Sequence, residues 1–487
     1  MNSGISRQVV SGLEKIVGGN ELATDEATLS KYSRDVSYPL SSESRPACVV
    51  WPKDLDGVQK IVKLANGNRI RVTPRSSPSG LHGLSLASPG GIVVDLTKMK
   101  GVAKIDSVNL YATIQTGVNF EQLQKQVQEK GMRVTPALRD PLASVVSSYL
   151  GGFPLLCAAK LEYNAPVINL EAVLPDGEVF RTGSGSLSGD ISGPHGASPL
   201  GPILDFYRMF HGACGTLGIV TAASVKLKYL PSVSKGVFST FERLNDAVEL
   251  TYKIQRREVG VECLLVNNLS LALFSTDRFD QMLNLAKGFP AWSLMLCLAG
   301  GQRRAEEKIE YEEKVLAEIS RSAGFKFESS INQLDDIAKS FLEEIYFPRR
   351  LGGRHNVGGL CGDIGFYTTL ERAPIFHDAI CSLAAKSGFP VERMGVILLP
   401  VERGRAVYCE YDLYFTAEEL LNGRRIIQIF STLGERIIEM GGYIPIPYGP
   451  LQAGFYSRLQ GVYVSLVRDL KKKFDPNNIM NPGKLAF

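Results

Sequence analysis

Residues 47–96 read ACVVWPKDLDGVQKIVKLANGNRIRVTPRSSPSGLHGLSLASPGGIVVDL, and this stretch decides the fold. The runs ACVVWP, RIRVTP and GIVVDL read as short strands, and the residues from Asp54 to about Ala65 read as a helix between the first two. A loop rich in serine, glycine and proline separates the second and third runs. The stretch therefore predicts a compact β-α-β-loop-β unit.

The chain continues to alternate strands and helices up to about residue 230. Residues 102–117 predict two strands, residues 120–131 predict a helix ended by glycine, and residues 167–182 predict a hairpin turning at Pro175-Asp176-Gly177. Residues 183–202, GSGSLSGDISGPHGASPLGP, are rich in turn formers and poor in apolar side chains. They predict a long surface excursion, which can be a lid or a loop that contacts a partner.

After Pro231 the sequence changes to strands alternating with charged helices, up to about Met440. The remaining residues contain a turn-rich segment, YIPIPYGP, then a helix from about Gln460 to Phe474 and the terminal DPNNIMNPGKLAF. We therefore predict a first domain over residues 1–231, a second over 232–440 and a C-terminal segment over 441–487.

Composition excludes several classes of protein. The chain has 487 residues, 44% of them hydrophobic and 21% charged, with 48 glycines and 25 prolines, which is typical of a globular, loop-rich protein. The net charge of +4 has no long basic run, so the chain lacks a nucleic-acid footprint, and Lys471–Lys473 is most simply a solvated helix face.

The sequence shows no pattern typical of a membrane span, a signal peptide or a local metal-binding cysteine motif. The longest apolar run, residues 291–301, is about half the roughly 20 residues that a membrane-spanning helix needs. The N-terminus has no apolar core of signal-peptide length and reads as an amphipathic helix, so we predict a cytoplasmic protein. The eight cysteines are scattered without a CxxC, which predicts reduced thiols and no local zinc or iron–sulfur ligand set.

The order of several motifs resembles one family, the flavoproteins typified by vanillyl-alcohol oxidase, 4-cresol dehydrogenase and the flavin subunits of glycolate oxidase and D-lactate dehydrogenase. The resemblance covers most of the chain. It is carried by YSRDVSYP (32–39), PACVVWPKDLDGVQKIVKLAN (46–66), RVTPRSSPSGLHG (71–83), GGIVVDLTKM (90–99), ATIQTGV (112–118), INLEAVLPDGEVFRTG (168–183), DFYRMFHGACGTLGIVTAASVKL (205–227) and FDPNNIMNPGKL (474–485).

The resemblance implies an α+β fold. A two-part FAD-binding domain is closed by the C-terminal segment, and an α+β cap domain with an antiparallel sheet covers the flavin ring and selects the substrate. FAD is the implied cofactor, and no metal is implied. A dinucleotide pyrophosphate needs many convergent backbone N–H donors, which glycine-rich turns present because side chains do not block the approach.

The implied FAD-binding residues lie in three turns and at the chain end. They are Pro74, Arg75, Ser76, Ser77, Ser79, Gly80, Leu81, His82, Ser144, Ser147, Ser148, Gly215, Thr216, Gly218, Ile219, Val220, Asn481 and Lys484. The chain departs from the family where relatives carry glycines after the arginine, since it has Ser76, Ser77 and Pro78 there. Serine hydroxyls can donate to phosphate, whereas proline removes one backbone donor.

Histidines near these turns have several interpretations. Some relatives tether FAD covalently through a histidine or tyrosine, and His82 lies near the flavin turn; the alternative is a loop histidine that contacts FAD or solvent. His195 lies in the turn-rich excursion and is expected to face solvent. Lys484 is expected beside the flavin or in C-terminal packing, and His377 is expected to be packed within a helix.

Residues 405–415, RAVYCEYDLYF, form the strongest candidate for the strand that faces the substrate. Period-two alternation places Tyr408, Glu410, Asp412 and Tyr414 on one face. Two carboxylates beside tyrosines can accept a substrate proton, because burial and mutual repulsion raise one pKa. We predict Tyr408, Glu410 and Tyr448 as catalytic residues, the last from the YIPIPYGP segment. The alternative for the strand is an exposed sheet face.

A second cluster is basic. Residues 347–365, FPRRLGGRHNVGGLCGDIG, contain Arg349, Arg350 and Arg354, which with Asp412 are the predicted substrate-binding residues. Arginines suit bidentate pairing with a carboxylate. A surface loop that grips a partner and internal salt bridges are the alternatives. The HxGDGNxH segment of the hydroxyacid branch is absent, and VILLPVERGR looks more like the phenol-oxidising branch.

The resemblance predicts an FAD-dependent dehydrogenase that moves a hydride from an alcohol, a hydroxyacid or a para-alkyl phenol to flavin N5. A chain without its own cluster fits a protein electron acceptor best: an iron–sulfur subunit, an electron-transfer flavoprotein or a cytochrome. A homodimer or hetero-oligomer is compatible with this function. The alternative is a non-catalytic flavin-binding or scaffold subunit of a larger redox complex.

Overall fold

The computed structural model describes residues 5–156, 166–187, 191, 206–331 and 335–485. Most of the predicted excursion, with His195, lies outside the described residues, as does Cys157. The helices are α1 Arg7–Val17, α2 Glu26–Lys31, α3 Leu55–Gly67, α4 Phe120–Gln128, α5 Val145–Leu150, α6 Leu244–Arg256, α7 Asn268–Ala272, α8 Phe279–Ala286, α9 Ala305–Ala323, α10 Asp335–Glu344, α11 Arg349–Gly352, α12 Ala373–Lys386, α13 Ala417–Leu420, α14 Gly423–Glu439, α15 Leu451–Tyr456 and α16 Gly461–Phe474.

The first sheet contains the predicted β-α-β-loop-β unit. Its strands are β1 Leu22–Ala23, β2 Cys48–Val50, β3 Val72–Arg75 and β4 Ile92–Asp95, in the order β1-β2-β4-β3. Strands β2, β4 and β3 are parallel, as a crossover through helix α3 requires. Asp54 starts that helix by accepting the Gly57 N–H at 2.8 Å, and both helices α1 and α3 pack on this sheet's core.

The second sheet is antiparallel and follows in the chain. Its strands are β5 Val102–Asp106, β6 Tyr111–Gln115, β8 Val167–Val173, β9 Val179–Arg181 and β10 Ile219–Lys226, in the order β5-β6-β10-β8-β9, while β7 Met132–Arg133 pairs with β11 Lys228–Tyr229. The predicted hairpin turns at Gly177, whose φ of 83° lies in the left-handed region that favours glycine.

The third sheet is the core of the cap. Its strands are β12 Val233–Phe241, β13 Glu262–Asn267, β14 Trp292–Gly300, β15 Leu360–Thr368, β16 Met394–Val401 and β17 Ala406–Phe415, all antiparallel in the order β12-β14-β13-β16-β17-β15. Strand β17 alternates as predicted: Cys409 and Tyr411 pack in one apolar core, and Tyr408 and Tyr414 in another. Helices cover both faces, so the alternative of an exposed sheet face is wrong.

The C-terminal segment returns to the first sheet. The Val72 N–H donates to Ile479 O at 2.7 Å, and the Asn481 N–H donates to Val72 O at 2.8 Å. The chain end therefore pairs in parallel with strand β3 at the edge of the sheet. The arrangement agrees with the predicted α+β class and with closure of the first domain by the last residues. The boundaries at residues 231 and 440 stay predictions.

Lys471 corrects the prediction of a solvated helix face at Lys471–Lys473. Its side chain is buried, and Nζ donates to Thr216 O at 2.7 Å and to Met480 O at 2.8 Å and pairs with Asp475 Oδ2 at 2.5 Å. Only Lys472 and Lys473 are exposed. The physical reason is that helix α16 packs against the turn at 214–218, so the Lys471 amine is buried there and must be hydrogen-bonded.

Two further features concern membranes and thiols. No helix in the described part of the chain is long and apolar enough to cross a membrane. The longest apolar run of the sequence instead contains strand β14, an interior strand of the third sheet that is buried along its whole length. The cysteines within the described ranges are free thiols.

Candidate active site

The segments that the sequence analysis assigned to the cofactor meet in space. The Ser144 N–H donates to Ser77 Oγ at 3.0 Å, which joins the start of helix α5 to the loop after strand β3. Asn481 Nδ2 donates to Cys214 O at 2.6 Å and to Leu84 O at 3.1 Å. The loop, the turn at 214–218 and the chain end thus form one surface.

The backbone of this surface is crowded in a way that only glycine permits. Gly215 has φ of +73°, and a Cβ there would lie 2.5 Å from Pro74 Cγ. A Cβ on Gly218 would lie 2.7 Å from Val173 O. Glycine at these two positions therefore lets the turn pack directly against strands β3 and β8, which fixes its backbone beside the loop at 75–84.

The surface also holds donors without protein partners, which is the test of whether an anion fits. Arg75 donates through Nε and Nη2 to Ser77 O and Pro78 O, but its buried Nη1 has no partner among the described residues. In the same loop, the N–H groups of the buried Gly80 and Leu81, and of the exposed Ser79, have no acceptor among the described residues. A buried donor of this kind is normally satisfied by a ligand or water, so the set fits the pyrophosphate of FAD.

Serine hydroxyls contribute less than the sequence suggested. Ser144 Oγ donates to Thr116 O at 2.6 Å, Ser148 Oγ to Ser144 O at 2.7 Å and Thr216 Oγ1 to Ala213 O at 2.7 Å. These hydroxyl hydrogens are used within the protein, because Ser148 and Thr216 bond to carbonyls of their own turns and Ser144 bonds to Thr116, just after strand β6.

The remaining residues assigned to the cofactor have other positions. Ser76 and Ser147 are partly exposed, and the side chain of Ile219 packs in the core of the first sheet. Val220 O accepts from Thr116 Oγ1 at 2.7 Å. Burial lowers the pKa of Lys484, and its Nζ donates to Gly83 O at 2.7 Å, which ties the chain end to the loop after strand β3; its place beside the flavin stays a prediction.

A pocket lies between this surface and the cap sheet. Its polar lining is His82, Arg354, Asp363, Tyr408, Glu410 and Tyr448. Its apolar lining includes Phe153, Pro154, Ile364, Ile444, Ile446 and Leu451. The three predicted catalytic residues therefore lie together in one pocket, although they come from two distant parts of the chain.

Arg354 is fully buried and fully paired. Its guanidinium forms an ion pair with Glu410, donates to Asp412 Oδ1 through Nε at 3.3 Å and donates to Leu351 O at 2.8 Å. Asp412 does not line the pocket and acts on it only through Arg354, which corrects its prediction as a substrate contact. Of the three interpretations of the basic cluster, internal salt bridging is the one that applies to Arg354.

The other two arginines of that cluster lie away from the pocket. Arg349 is exposed and pairs with Glu121 Oε1 at 3.1 Å. Arg350 is held through its backbone N–H, which donates to Glu344 Oε1 at 2.9 Å. Helix α11 ends at Gly352, before Arg354, so the three side chains diverge instead of forming the predicted clamp.

The electrostatics of strand β17 favour protonated groups. Burial raises the pKa of Glu410, although Arg354 opposes the change, and burial raises the pKa of Asp412 to about 8. Tyr408 Oη donates to Glu410 Oε2 at 2.6 Å, and burial beside this carboxylate holds the pKa of Tyr408 well above its usual value. Burial therefore favours the protonated form of the carboxyl groups and of the tyrosine on this face.

Sequence reasoning missed Asp363, on strand β15. Its Oδ2 lies 2.8 Å from His82 Nε2, and its Oδ1 lies 3.0 Å from His355 Nε2. Burial opposes ionisation, but the two imidazoles hold the pKa of Asp363 well below its usual range. The signal was an aspartate flanked by glycines in GGLCGDIG, which becomes informative only once strand β15 pairs with strand β17 and sets Asp363 opposite Asp412.

His82 lies inside the pocket and not towards solvent. Its ring stacks on Tyr448 with centroids 4.0 Å apart, and Tyr448 Oη donates to Asp363 O at 3.1 Å. His377 is packed edge-on against Trp292 in helix α12, as predicted. No group of three or more His, Cys, Asp and Glu residues in the described ranges has the geometry to hold a metal ion.

Comparison with known proteins identifies two domains. Residues 46–183 match the family model described as FAD binding domain, and residues 449–485 match FAD linked oxidases, C-terminal domain. The chain is 27% identical to glycolate oxidase subunit GlcD of Bacillus subtilis, over 99% of this chain and 97% of that protein. It is 22% identical to a D-lactate dehydrogenase of Anaerostipes hadrus, over 99% and 98% of the two chains.

Phenol-oxidising proteins are also similar. The chain is 24% identical to the flavoprotein subunit of 4-cresol dehydrogenase from Pseudomonas putida, over 66% of this chain and 65% of that one. Its fold matches p-cresol methylhydroxylase with substrate bound, with a TM-score of 0.85, 18% identity and coverage of 99% and 98%. It also matches 4-ethylphenol oxidase from Gulosibacter chungangensis in complex with isoeugenol, with a TM-score of 0.84, 19% identity and the same coverage.

Proposed function

Because this chain is an FAD-linked oxidoreductase with the fold of p-cresol methylhydroxylase, we propose that it oxidises a neutral substrate of the para-alkyl phenol or aromatic alcohol type and passes the electrons to a protein acceptor. FAD, when bound, supplies the hydride acceptor at N5. The residues of this chain bind the substrate, exclude water and handle the hydroxyl proton.

The observation that carries this proposal is the saturation of Arg354. Its Nη2 pairs with Glu410, its Nε with Asp412 and its Nη1 with Leu351 O, so each guanidinium nitrogen already has an acceptor other than a substrate carboxylate. An anionic substrate would in addition lie beside the ionised Asp363, and like charges in a buried site repel strongly. A neutral hydroxyl, in contrast, finds acceptors and loses nothing by desolvation of a charge.

The rest of the pocket suits an aromatic ring. Phe153 and Tyr448 flank His82, and Ile364, Ile444 and Ile446 add aliphatic walls. Pockets that bind small molecules are mostly apolar, with a few polar groups that fix orientation. The ring would lie against the apolar wall with its hydroxyl directed at the polar lining.

Tyr408 and Glu410 are the proposed hydroxyl-binding pair. Tyr408 Oη already donates to Glu410, so the tyrosine oxygen can accept a hydrogen bond from the substrate hydroxyl and hold it in place without removing its proton. Gly365 makes this possible, because a Cβ there would lie 1.9 Å from Tyr408 Oη. We assign the FAD pyrophosphate to the surface formed by the loop at 75–84 and the turn at 214–218.

A hydroxyacid is the second candidate substrate. It is favoured by the 27% identity to a glycolate oxidase subunit over nearly the whole chain. It would require Glu410 to be protonated, which the direction of its pKa permits. The proposed protein acceptor is supported by relatives that are themselves named as subunits.

The first experiment is an absorption spectrum of the purified protein before and after acid precipitation, which measures bound flavin and its attachment. Anaerobic bleaching of the holoenzyme with p-cresol, with glycolate and with D-lactate then compares the two substrate classes. We expect p-cresol to bleach the flavin fastest. Faster bleaching by either hydroxyacid would contradict the phenol proposal.

Variants test the site itself. Tyr408→Phe should slow bleaching by p-cresol roughly tenfold to hundredfold with unchanged flavin content, since a hydrogen bond to a charged group contributes about 1.5–3 kcal/mol. Tyr448→Phe should reduce the rate less, because its ring remains stacked on His82. Tyr311→Phe, at an exposed tyrosine on helix α9, is the matched control and should change nothing.

A further inference from the structure

The backbone at His82 adopts a conformation that side-chain-bearing residues rarely take. Its φ is 61°, and Gly83 follows with φ of 71°. The conformation is held from outside the loop, since the His82 N–H donates to Ser37 Oγ at 2.9 Å and the Gly83 N–H to Asp35 Oδ2 at 2.6 Å. Strain of this kind persists where the surroundings impose it, and it is concentrated at functional positions.

The imidazole is fixed by contacts on its faces and at one nitrogen. Tyr448 stacks on one side at 4.0 Å and Phe153 lies 5.8 Å away, measured between ring centroids. Nε2 lies 2.8 Å from Asp363 Oδ2. The side chain is only 6% exposed, and its Nδ1 has no hydrogen-bond partner among the described residues.

The partner at Nε2 determines the chemistry of Nδ1. A carboxylate only accepts, so Nε2 carries the hydrogen and Nδ1 of the neutral ring keeps its lone pair. Asp363 cannot turn away, because its other oxygen is held by His355 Nε2 at 3.0 Å. Burial and Arg354 lower the pKa of His355 to about 4, so this second imidazole stays neutral and serves as a fixed donor.

We infer that His82 is the catalytic base of this site, that it takes the substrate hydroxyl proton at Nδ1, and that Asp363 is the residue that positions it. The inference rests on the proposed function. The O–H bond breaks and its proton goes to Nδ1; the C–H bond breaks and its hydrogen leaves with both electrons to the bound FAD. An alcohol becomes a carbonyl compound and a para-alkyl phenol becomes a quinone methide, so atoms and electrons balance.

The test uses the holoenzyme with two variants and a matched control. His82→Gln keeps an amide that can donate to Asp363 but has no basic nitrogen. Asp363→Asn leaves the ring in place but presents a donor to Nε2, which forces the hydrogen onto Nδ1. His377→Gln replaces a partly buried histidine on helix α12 that lies outside the pocket, and it is the control.

The probe is phenol labelled with ¹³C at C1, which cannot be dehydrogenated and whose NMR shift reports whether it is bound as phenol or as phenolate. We expect the wild type and His377→Gln to show the bound phenol ionised or strongly polarised. Both site variants should show neutral phenol, with flavin content unchanged and reduction by p-cresol slowed roughly hundredfold or more. Added imidazole should restore part of the rate in His82→Gln alone.

Three results would overturn the inference. Phenol bound with the same chemical shift in the wild type and in both site variants would refute the base while leaving the phenol proposal intact. No binding of phenol to the wild-type holoenzyme would refute both. Flavin colour that stays in the acid pellet of the wild type, but is released from His82→Gln, would identify His82 as a covalent tether instead of a base.

Discussion

Replacing Lys471 by methionine should disconnect the end of the chain from the flavin turn. The lysine amine bridges Thr216 O, Met480 O and the Asp475 carboxylate at 2.5–2.8 Å. Methionine keeps most of the aliphatic volume, so the packing of helix α16 is retained and the loss is confined to the charge and its three hydrogen bonds.

The expected loss in the free energy of unfolding is set by the buried polar groups that Lys471→Met leaves without a partner. Two buried carbonyls lose a donor, and Asp475 becomes a buried carboxylate without a counter-ion. Removing one partner of a buried ion pair costs about 3–5 kcal/mol. The lower half of that range applies here, because Asp475 still accepts the N–H groups of Ile479 at 3.0 Å and Met480 at 2.7 Å.

The assay is thermal unfolding of the holoenzyme, followed by the rise of flavin fluorescence on release. A loss of about 3 kcal/mol should lower the midpoint by roughly 5–10 °C, and FAD affinity should fall with it because the turn at 214–218 loses its brace. Lys473→Met, an exposed neighbour on the same helix, is the control and should shift the midpoint by about 1 °C or less.

A double variant separates the cost of the unpaired Asp475 carboxylate from the cost of losing the hydrogen bonds to Thr216 O and Met480 O. Lys471→Met with Asp475→Asn removes the uncompensated carboxylate, so it should recover part of the loss. If Lys471→Met melts like Lys473→Met, the buried bridge does not hold this part of the structure together, and the reasoning is refuted.

Three further outcomes are expected. Gly215→Ala should weaken FAD binding roughly tenfold or more in a fluorescence titration, because its φ of +73° and the 2.5 Å approach to Pro74 leave no place for a methyl group. Burial raises the pKa of Glu344 to about 7, above its unfolded value. The contribution of this group to the free energy of unfolding is therefore fully present below about pH 4.5 and is lost as the pH rises towards 7. Glu344→Gln should reduce this dependence of the free energy of unfolding on pH, measured by denaturant unfolding. Arg349→Ala should leave steady-state kinetics within about twofold, since Arg349 pairs with Glu121 away from the pocket.

Much of the fold was predictable because it depends on local patterns. The strand at 48–50, the helix at 55–67 and the parallel strands at 72–75 and 92–95 appear where residues 47–96 predicted them. Alternation along residues 405–415 also predicted which side chains share a face. These inferences need only the periods of the helix and the strand, and the turn preferences of glycine and proline.

The errors arose where a side chain's surroundings come from distant sequence. Lys471 belongs to a run that is usually solvated, but it is buried against a turn some 250 positions earlier in the chain. Arg349 and Arg354 are close in sequence, but helix α11 ends between them. The side chain of Arg349 is exposed to solvent, whereas that of Arg354 is buried at the pocket. No local pattern distinguishes these outcomes.

The candidate site is assembled by contacts across the whole chain, and this explains why its polar groups are tolerated. Strand pairing sets Asp363 opposite Asp412, with Glu410 one step along the same face. Three buried carboxylates so close together would destabilise an isolated cap sheet. Arg354 pairs with two of them from within the cap, and Asp363 is bonded by His355 of the cap and by His82 of the loop after strand β3. The contact between His82 and Asp363 therefore joins that loop to the cap sheet, and a variant that removes it should loosen the cap as well as slow the chemistry.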